Sequence, residues 1–320
     1  MKYIFFIDYL EKINTKKDTS IFMAHTYKAQ GHEVYLLFEN DFYYFNKQKL
    51  ELPLYEFEST LNRDDFYLKA FKLKTKVVRP IKKGDVLFYR LDPPFDQRYL
   101  RYLWLLDNLQ DSGLIVSNNP RGILTYNEKL FAYKQPESID TYVGGSFNYF
   151  LKFIQVYQKK KVTEFILKPI DLYQGIGVEK IRILPSTAEA QIKKIFDRKL
   201  KELGGLLILQ PFVKSVSNGE IRSIFYKGKE LGSILKIPKK GEYLANIAQG
   251  AQYEVIKLTP KLKSLCTNVA KHLGRVGVDL IAYDLLDEKF SEINITCPGL
   301  LVEVSNALNK NLAQTMVEMD

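Results

Sequence analysis

The chain has 320 residues, a net charge of +10 and only two cysteines, Cys266 and Cys297. At about 150 residues per domain it has room for two or three packed units, and two cysteines make no disulfide framework, so the expected setting is reducing and cytoplasmic. No apolar run approaches the roughly 20 residues of a membrane helix, the start MKYIFFID is too short in its apolar part for a signal peptide, and the lysines are scattered rather than gathered into an arm or stripe, which argues against nucleic acid.

Residues 3–7 predict a strand, 18–30 a helix capped by Asp18 or Thr19 and stopped at Gly31, and 34–38 a second strand. Residues 40–80 are less regular and read as a hairpin or excursion. Residues 85–90 are the next strand, followed by a polar-aromatic turn at 92–96, a helix holding Trp104, and the strand 114–118. Strands alternating with helices predict a mostly parallel sheet.

A second unit starts near Pro120. It has a helix around 123–134, a strand over 162–170, a glycine-containing turn, a strand over 178–184, and a charged helix near 187–203 that ends at Gly204-Gly205. LLILQPFV, IRSIFYKGKELGSILKI, VDLIAYDLL and KFSEINIT then read as strands of an antiparallel sheet, with hairpin turns at 227–229 and 286–289. The polar segment 238–252 has no clear period.

Three constellations carry chemistry. Glu292 and Asn294 are two apart in a strand and share a face, with Ile293 and Ile295 turned to the core. Asp279, on the strand expected over 278–283, is placed beside them by a hairpin, and three oxygen-bearing side chains on one face suit Mg²⁺. The competing reading is a solvated sheet face. Lys168 closes an apolar strand before a turn containing Gly175 and Gly177, where an ammonium and exposed backbone N–H groups suit phosphate; a strand-end lysine reaching into solvent is the alternative. Lys129 on its helix, and Arg222 and Lys236 on their strands, are ambiguous alone. LQPFV at 209–213 offers an apolar seat for adenine. The histidines, His25, His32 and His272, form no cluster, and Cys297 reads as a small residue in a substrate-adjacent turn rather than a nucleophile.

The order of these features resembles the ATP-grasp superfamily. Within it the chain is similar, nearly end to end, to the prokaryotic-type glutathione synthetase family. The stretches are INTKKDTS at 13–20, DPPFD at 92–96, NEKLFA at 127–132, LKPID at 167–171, GEYLANIAQG at 241–250 and SEINITCPG at 291–299. The resemblance implies an α/β and α+β chain: an N-terminal parallel α/β (pre-ATP-grasp) domain over 1–121, then a two-subdomain ATP-grasp fold over 122–204 and 205–320, with 238–252 as a lid. It implies that Lys129, Lys168, Asp171, Gly175, Gly177, Gln210 and Glu220 bind ATP, and that Asp279, Glu292 and Asn294 hold Mg²⁺ or Mn²⁺. Arg222 and Lys236 would serve the phosphoryl group or the reacting carboxylate. Asn14, Lys17, Asp92, Pro93, Asn246 and Thr296 would border the substrates. Partners would be small peptides and amino acids, with no nucleic acid or membrane, and the chain would be a homo-oligomer.

The implied chemistry is attack of a carboxylate on the γ-phosphate of ATP, then displacement of phosphate from the acyl phosphate by an amine. Four positions depart from the family: a bulkier turn over 172–177, Lys236 and Leu244 where arginines are usual, and Val302 in place of an arginine before Glu303. Three readings follow: glutathione synthesis, a paralogous ligase with another acyl or amine substrate, or a nucleotide-binding protein with little ligase activity.

Overall fold

The first strand, β1 (Lys2–Ile7), is buried at every position, because helices cover both faces of its sheet. After it come α1 (Thr19–Ala29), β2 (Glu33–Leu37), β3 (Glu51–Leu61), β4 (Leu68–Pro80), β5 (Val86–Arg90), α2 (Gln97–Gln110) and β6 (Ile115–Ser117). They form a six-stranded sheet in the order β4-β3-β2-β1-β5-β6. Strands β2, β1, β5 and β6 are parallel, and β3 and β4 are an antiparallel hairpin on one edge. The less regular stretch of the sequence is therefore that hairpin. Tyr3 and Phe5 pack with α1 on one face, while Ile4 and Phe6 meet α2 on the other.

The structure, a computed structural model, describes residues 1–247 and 250–320. The second unit holds α3 (Pro120–Thr125), α4 (Glu128–Tyr133), β7 (Tyr142–Gly144), α5 (Phe147–Lys159), β8 (Glu164–Lys168), β9 (Glu179–Arg182), α6 (Glu189–Glu202) and β10 (Leu207–Pro211). Its sheet runs β7-β10-β8-β9, so the strand at 207–211, expected in the third unit, belongs to the second. Hydrogen bonding decides the matter: β10 lies between β7 and β8.

The third unit has β11 (Glu220–Tyr226), β12 (Lys229–Ile237), β13 (Gln252–Val255), α7 (Pro260–Gly274), β14 (Leu280–Leu286), β15 (Lys289–Asn294), α8 (Leu301–Leu308) and α9 (Leu312–Val317). Its sheet is antiparallel, in the order β13-β12-β11-β14-β15. Both expected hairpin turns form: Lys227 and Gly228, and Asp287 and Glu288, all have positive φ, as tight two-residue turns require. Phe225, Tyr283, Leu285 and Ile293 pack with α7, leaving the alternate residues for the opposite face.

Asn118, just after β6, joins the first unit to the third. Its Nδ2 donates to the carbonyls of Leu280 and Ile295, and its Oδ1 accepts from the N–H groups of Asp279 and Leu280. Among the described residues no helix is long and apolar enough to cross a membrane.

A buried ion pair pins β1 to the loop before β5. Lys2 Nζ lies 2.7 Å from Asp85 Oδ2, and the N–H groups of Lys2 and Lys82 also donate to that carboxylate. Burial pushes the Asp85 carboxyl up, but these donors outweigh it and hold it below the usual range. The pair therefore contributes stability above the ordinary carboxylate pKa, near pH ~4, and loses it as pH falls through the lowered folded value. Asp85→Asn should cost about 3 kcal/mol in urea unfolding at neutral pH, the low end for a broken buried pair. The variant should lose less stability than the wild type on acidification, and equal acid slopes would refute this account.

Candidate active site

Strand register assembles the site. Arg222 on β11 pairs with Asp284 on β14, and Asp284 pairs with Glu292 on β15. In the rows on either side, Glu220 pairs with Lys236 on β12, and Ala282 pairs with Asn294. Residues two apart on a strand share a face, so charged groups from four strands meet on the side away from α7.

They are tightly joined. Lys236 Nζ donates to Asp284 Oδ1 at 2.7 Å and to Glu220 Oε2 at 2.8 Å. Arg222 Nη2 is 3.0 Å from Asp284 Oδ2, which also accepts from Asn294 Nδ2 at 3.0 Å. Burial pushes the Asp284 carboxyl up, but Arg222, Lys236 and Asn294 outweigh it and hold it below the usual value. Burial likewise opposes the charge on Lys236, yet Asp284 and Glu220 keep its pKa above that of an ordinary lysine. Glu220 is driven the other way, upward, by burial, since Lys236 is shared and Asp284 repels it.

The second unit supplies two more lysines. On β8, Phe165 and Leu167 enter the core, so Ile166 and Lys168 alternate toward the cavity. Lys168 lies 5.3 Å from the Tyr133 ring centroid, and burial lowers its pKa despite Glu292, Glu220 and Asp284 nearby. Lys129, 6% exposed at the start of α4, donates to the Leu172 carbonyl at 2.6 Å and lies 3.1 Å from Glu292 Oε1. The carboxylate of Glu128 accepts from the Ile295 and Thr296 N–H groups and from Thr296 Oγ1, which fixes the chain just beyond Asn294.

These groups line one cavity of ≈ 480 Å³ between the units. One end is apolar, with Ile139, Ile166, Phe212, Val213, Val216 and Leu286, and Gln210 lies among them, donating to Thr141 Oγ1. Over the middle, Leu244 and Asn246 of the segment 238–252 lean on the glycine turn. Leu244 sits where a Cβ on Gly175 would meet it at 3.3 Å, and Asn246 Nδ2 donates to the Gln174 carbonyl at 3.0 Å. Ala248 and Gln249 of this segment lie outside the described residues.

The cavity brings together Asn14, Lys17, Asp92, Pro93, Lys129, Lys168, Gly175, Gln210, Glu220, Arg222, Lys236, Asn246, Glu292, Asn294 and Thr296. Three expected residues do not line it. Gly177 (φ +74) turns the loop against Pro169 instead. Asp171 lies behind the wall, its carbonyl accepting from the Phe95 N–H. The metal assignment of Asp279 is corrected: it precedes β14, its backbone docks on Asn118, and its charged neighbours are Lys227 and Asp320. Asp284 stands where Asp279 was expected. Counting back from the 286–289 turn sets Asp284 opposite Ser291, and only the bulge between Asp284 and Leu285 brings it opposite Glu292, so neither the count nor the apolar run around it gave a signal. Glu128 was quoted only within NEKLFA, and its tie to Thr296 has no signature in the sequence.

The donor set suits a nucleotide with its metal. Asp284, Glu292 and Asn294 offer the hard oxygen donors that Mg²⁺ takes. Arg222 Nε is buried without a hydrogen-bond partner among the described residues, a donor that an anion in the cavity would satisfy.

A cleft between two α+β units, with lysines from one side and carboxylates from the other, is the architecture of an ATP-grasp ligase. Solved ATP-grasp structures share the fold. D-cycloserine synthetase DcsG superposes with a TM-score of 0.65 at 15% identity over 99% of both chains. The ATP-grasp ligase PsnB, solved with a phosphomimetic variant of its minimal precursor, Mg and ADP, gives 0.60 at 13% over 99% of this chain and 96% of its own. The model of the prokaryotic glutathione synthetase N-terminal domain matches residues 1–123, and that of the ATP-grasp domain matches residues 128–309. The chain belongs to the prokaryotic glutathione synthetase family. It is 27% identical to the glutathione synthetase of Prochlorococcus marinus subsp. pastoris over 99% of this chain and 98% of the relative. It is 28% identical to that of Buchnera aphidicola subsp. Schizaphis graminum over 98% and 94%.

The two aspartates separate in a direct test. Asp284→Asn should lower the rate of ATP turnover by about 10²-fold or more, since it removes an anionic donor suited to the metal and the partner that positions Arg222 and Lys236. Asp279→Asn should leave the rate within about twofold, as a substitution away from the chemistry does. A large loss with Asp279→Asn would return that residue to the site.

Proposed function

We propose that the protein joins a carboxylate to an amine at the expense of ATP, and that the reaction is glutathione synthesis from γ-glutamylcysteine and glycine. The observation that carries this is the cavity's charge order, with an apolar end, a cationic middle facing paired carboxylates, and a polar end at the N-terminal domain. Adenine would rest on Phe212, Val213 and Leu286. Lys129, Lys168, Arg222 and Lys236 would contact the phosphates and offset charge on the phosphoryl group as the substrate carboxylate attacks it. Mg²⁺, or Mn²⁺ in the same oxygen set, would be held by Asp284, Glu292 and Asn294 and would neutralise phosphate charge. Segment 238–252 would exclude water, which would otherwise hydrolyse the acyl phosphate. Asn14, Lys17, Asp92, Pro93 and Thr296 would border the peptide.

A second reading, a ligase with another acyl or amine substrate, is favoured by one observation. The lid residue over the cavity is Leu244, and Val302 is fully buried in the core, so neither brings a cation to a substrate carboxylate. ADP release with γ-glutamylcysteine and glycine, against a panel of dipeptides and amines, decides between them. Activity with another pair alone would replace glutathione synthesis, and activity with none would leave a nucleotide-binding protein. Assembly as a homo-oligomer in the cytoplasm goes with this proposal, and elution above the monomer mass in gel filtration checks the first part.

Glu292→Ala should abolish turnover while shifting the unfolding midpoint little, because its partner Lys129 keeps the Leu172 carbonyl. Retained turnover would remove Glu292 from the reaction.

A further inference from the structure

The cavity's end at the N-terminal domain contains a cluster that the phosphate chemistry does not use. Three carboxylates line it: Asp18, Asp92 and Glu303. Glu303, in the first turn of α8, is 4% exposed, and its Oε2 is buried with no hydrogen-bond partner among the described residues. Asp18 caps α1 through the Ile21 N–H at 2.8 Å, and Asp92 opens into the cavity beside the Cys297 thiol. Burial raises all three carboxyls, Asp18 to about 6, and Asp92 and Asp18 add repulsion at Asp18 and Glu303 respectively.

Of the cations nearby, Arg222 is paired with Asp284 while its charge still reaches Glu303, and the others are committed or exposed. Arg90 donates Nε to Ser20 Oγ and Nη2 to the Pro298 carbonyl. Lys17 is exposed, although its charge reaches Glu303. Glu303 thus brings one buried, unpartnered acceptor to a cluster of three carboxyl groups, and a cation entering it relieves both the missing bond and the crowded charge.

We propose that Glu303, with Asp18 and Asp92, binds the ammonium group of the acyl donor. This rests on the ligase reading above and names the head group that the acyl donor carries. An ammonium has three donors and no acceptor, which matches convergent carboxylates. It is not the attacking amine, because attack needs a neutral nitrogen and surrounding carboxylates keep an amine protonated. The group bound here is therefore a spectator, belonging to the substrate whose carboxylate is activated. Lys17, on the rim beside Glu303, suits the carboxylate of the same amino-acid head.

The test compares γ-glutamylcysteine with glutarylcysteine, which lacks only the amino group. Both are titrated calorimetrically into the enzyme holding Mg²⁺ and a non-hydrolysable ATP analogue. The expected result is at least about tenfold tighter binding of γ-glutamylcysteine, the scale of a charge-assisted hydrogen bond. Glu303→Gln should reduce that preference to about twofold or less, with affinity for the ATP analogue unchanged. Asp92→Asn, at an open position, should also reduce the preference and decides the matter if Glu303→Gln does not fold. Equal affinities in the wild type, a full preference in the variants, or no binding of either compound would overturn the proposal. ADP release measured in parallel separates it from the ligase reading. Selective binding without ADP release keeps the subsite and removes the ligase, while ADP release indifferent to the amino group does the reverse.

Discussion

The charge on Asp284 is the constraint from which the rest of the site follows. A carboxylate sealed in a sheet face would protonate unless its charge were matched, and here Arg222, Lys236 and Asn294 match it from three other strands. Those contacts exist only in one register, since a shift of one residue would turn each side chain to the face packed on α7. The network is thus both a register lock and a reservoir of charge. On the proposed reading, a polyphosphate and its metal would give Arg222 and Lys236 an anion to turn to and Asp284 a cation. The groups are held near their working positions by one another, so little reorganisation is needed to receive a nucleotide.

Opposing lysines complete the arrangement from the second unit. Lys168 is buried enough to have its pKa lowered, and Lys129 is held between a backbone carbonyl and Glu292. Both side chains are buried and held in place, which would limit the rotamer freedom lost if they bind phosphate as proposed. The two units therefore meet through complementary charge across a cavity, with Asn118 tying the first unit to the strands that carry the carboxylates.

Much of this was legible in the sequence. Lys168 was legible as the lysine closing an apolar strand before a glycine turn, and it lines the cavity; Glu-x-Asn at 292–294 put two oxygens on one face, because strand parity is local. The placement of β10 and of Asp284 was not legible in the same way. Residues 207–211 are equally apolar whichever sheet they join, and only pairing with β7 and β8 assigns them. Asp284 sits in Ala-Tyr-Asp-Leu-Leu, where its neighbours face the core and its polarity looks incidental. Its role appears once a bulge between Asp284 and Leu285 sets it opposite Glu292. Asp279 was expected beside Glu292 and Asn294 through the hairpin, yet it precedes β14 and its backbone is taken by Asn118, more than 150 residues earlier in the chain.

The charge balance takes on a different meaning at the level of the cavity. A net charge of +10 suggests a uniformly attractive surface for anions, but the interior is graded. The middle is cationic, where phosphate charge must be offset, and the far end holds Asp18, Asp92 and Glu303. A substrate with a carboxylate at one end and an ammonium at the other would be oriented by that gradient, its carboxylate drawn to the phosphates and its ammonium held away. A reversed pose would set carboxylate against carboxylate in a poorly solvated pocket and ammonium against lysine. Orientation of the acyl donor therefore follows from the sign of charge along the cavity, with no requirement for close shape matching at either end.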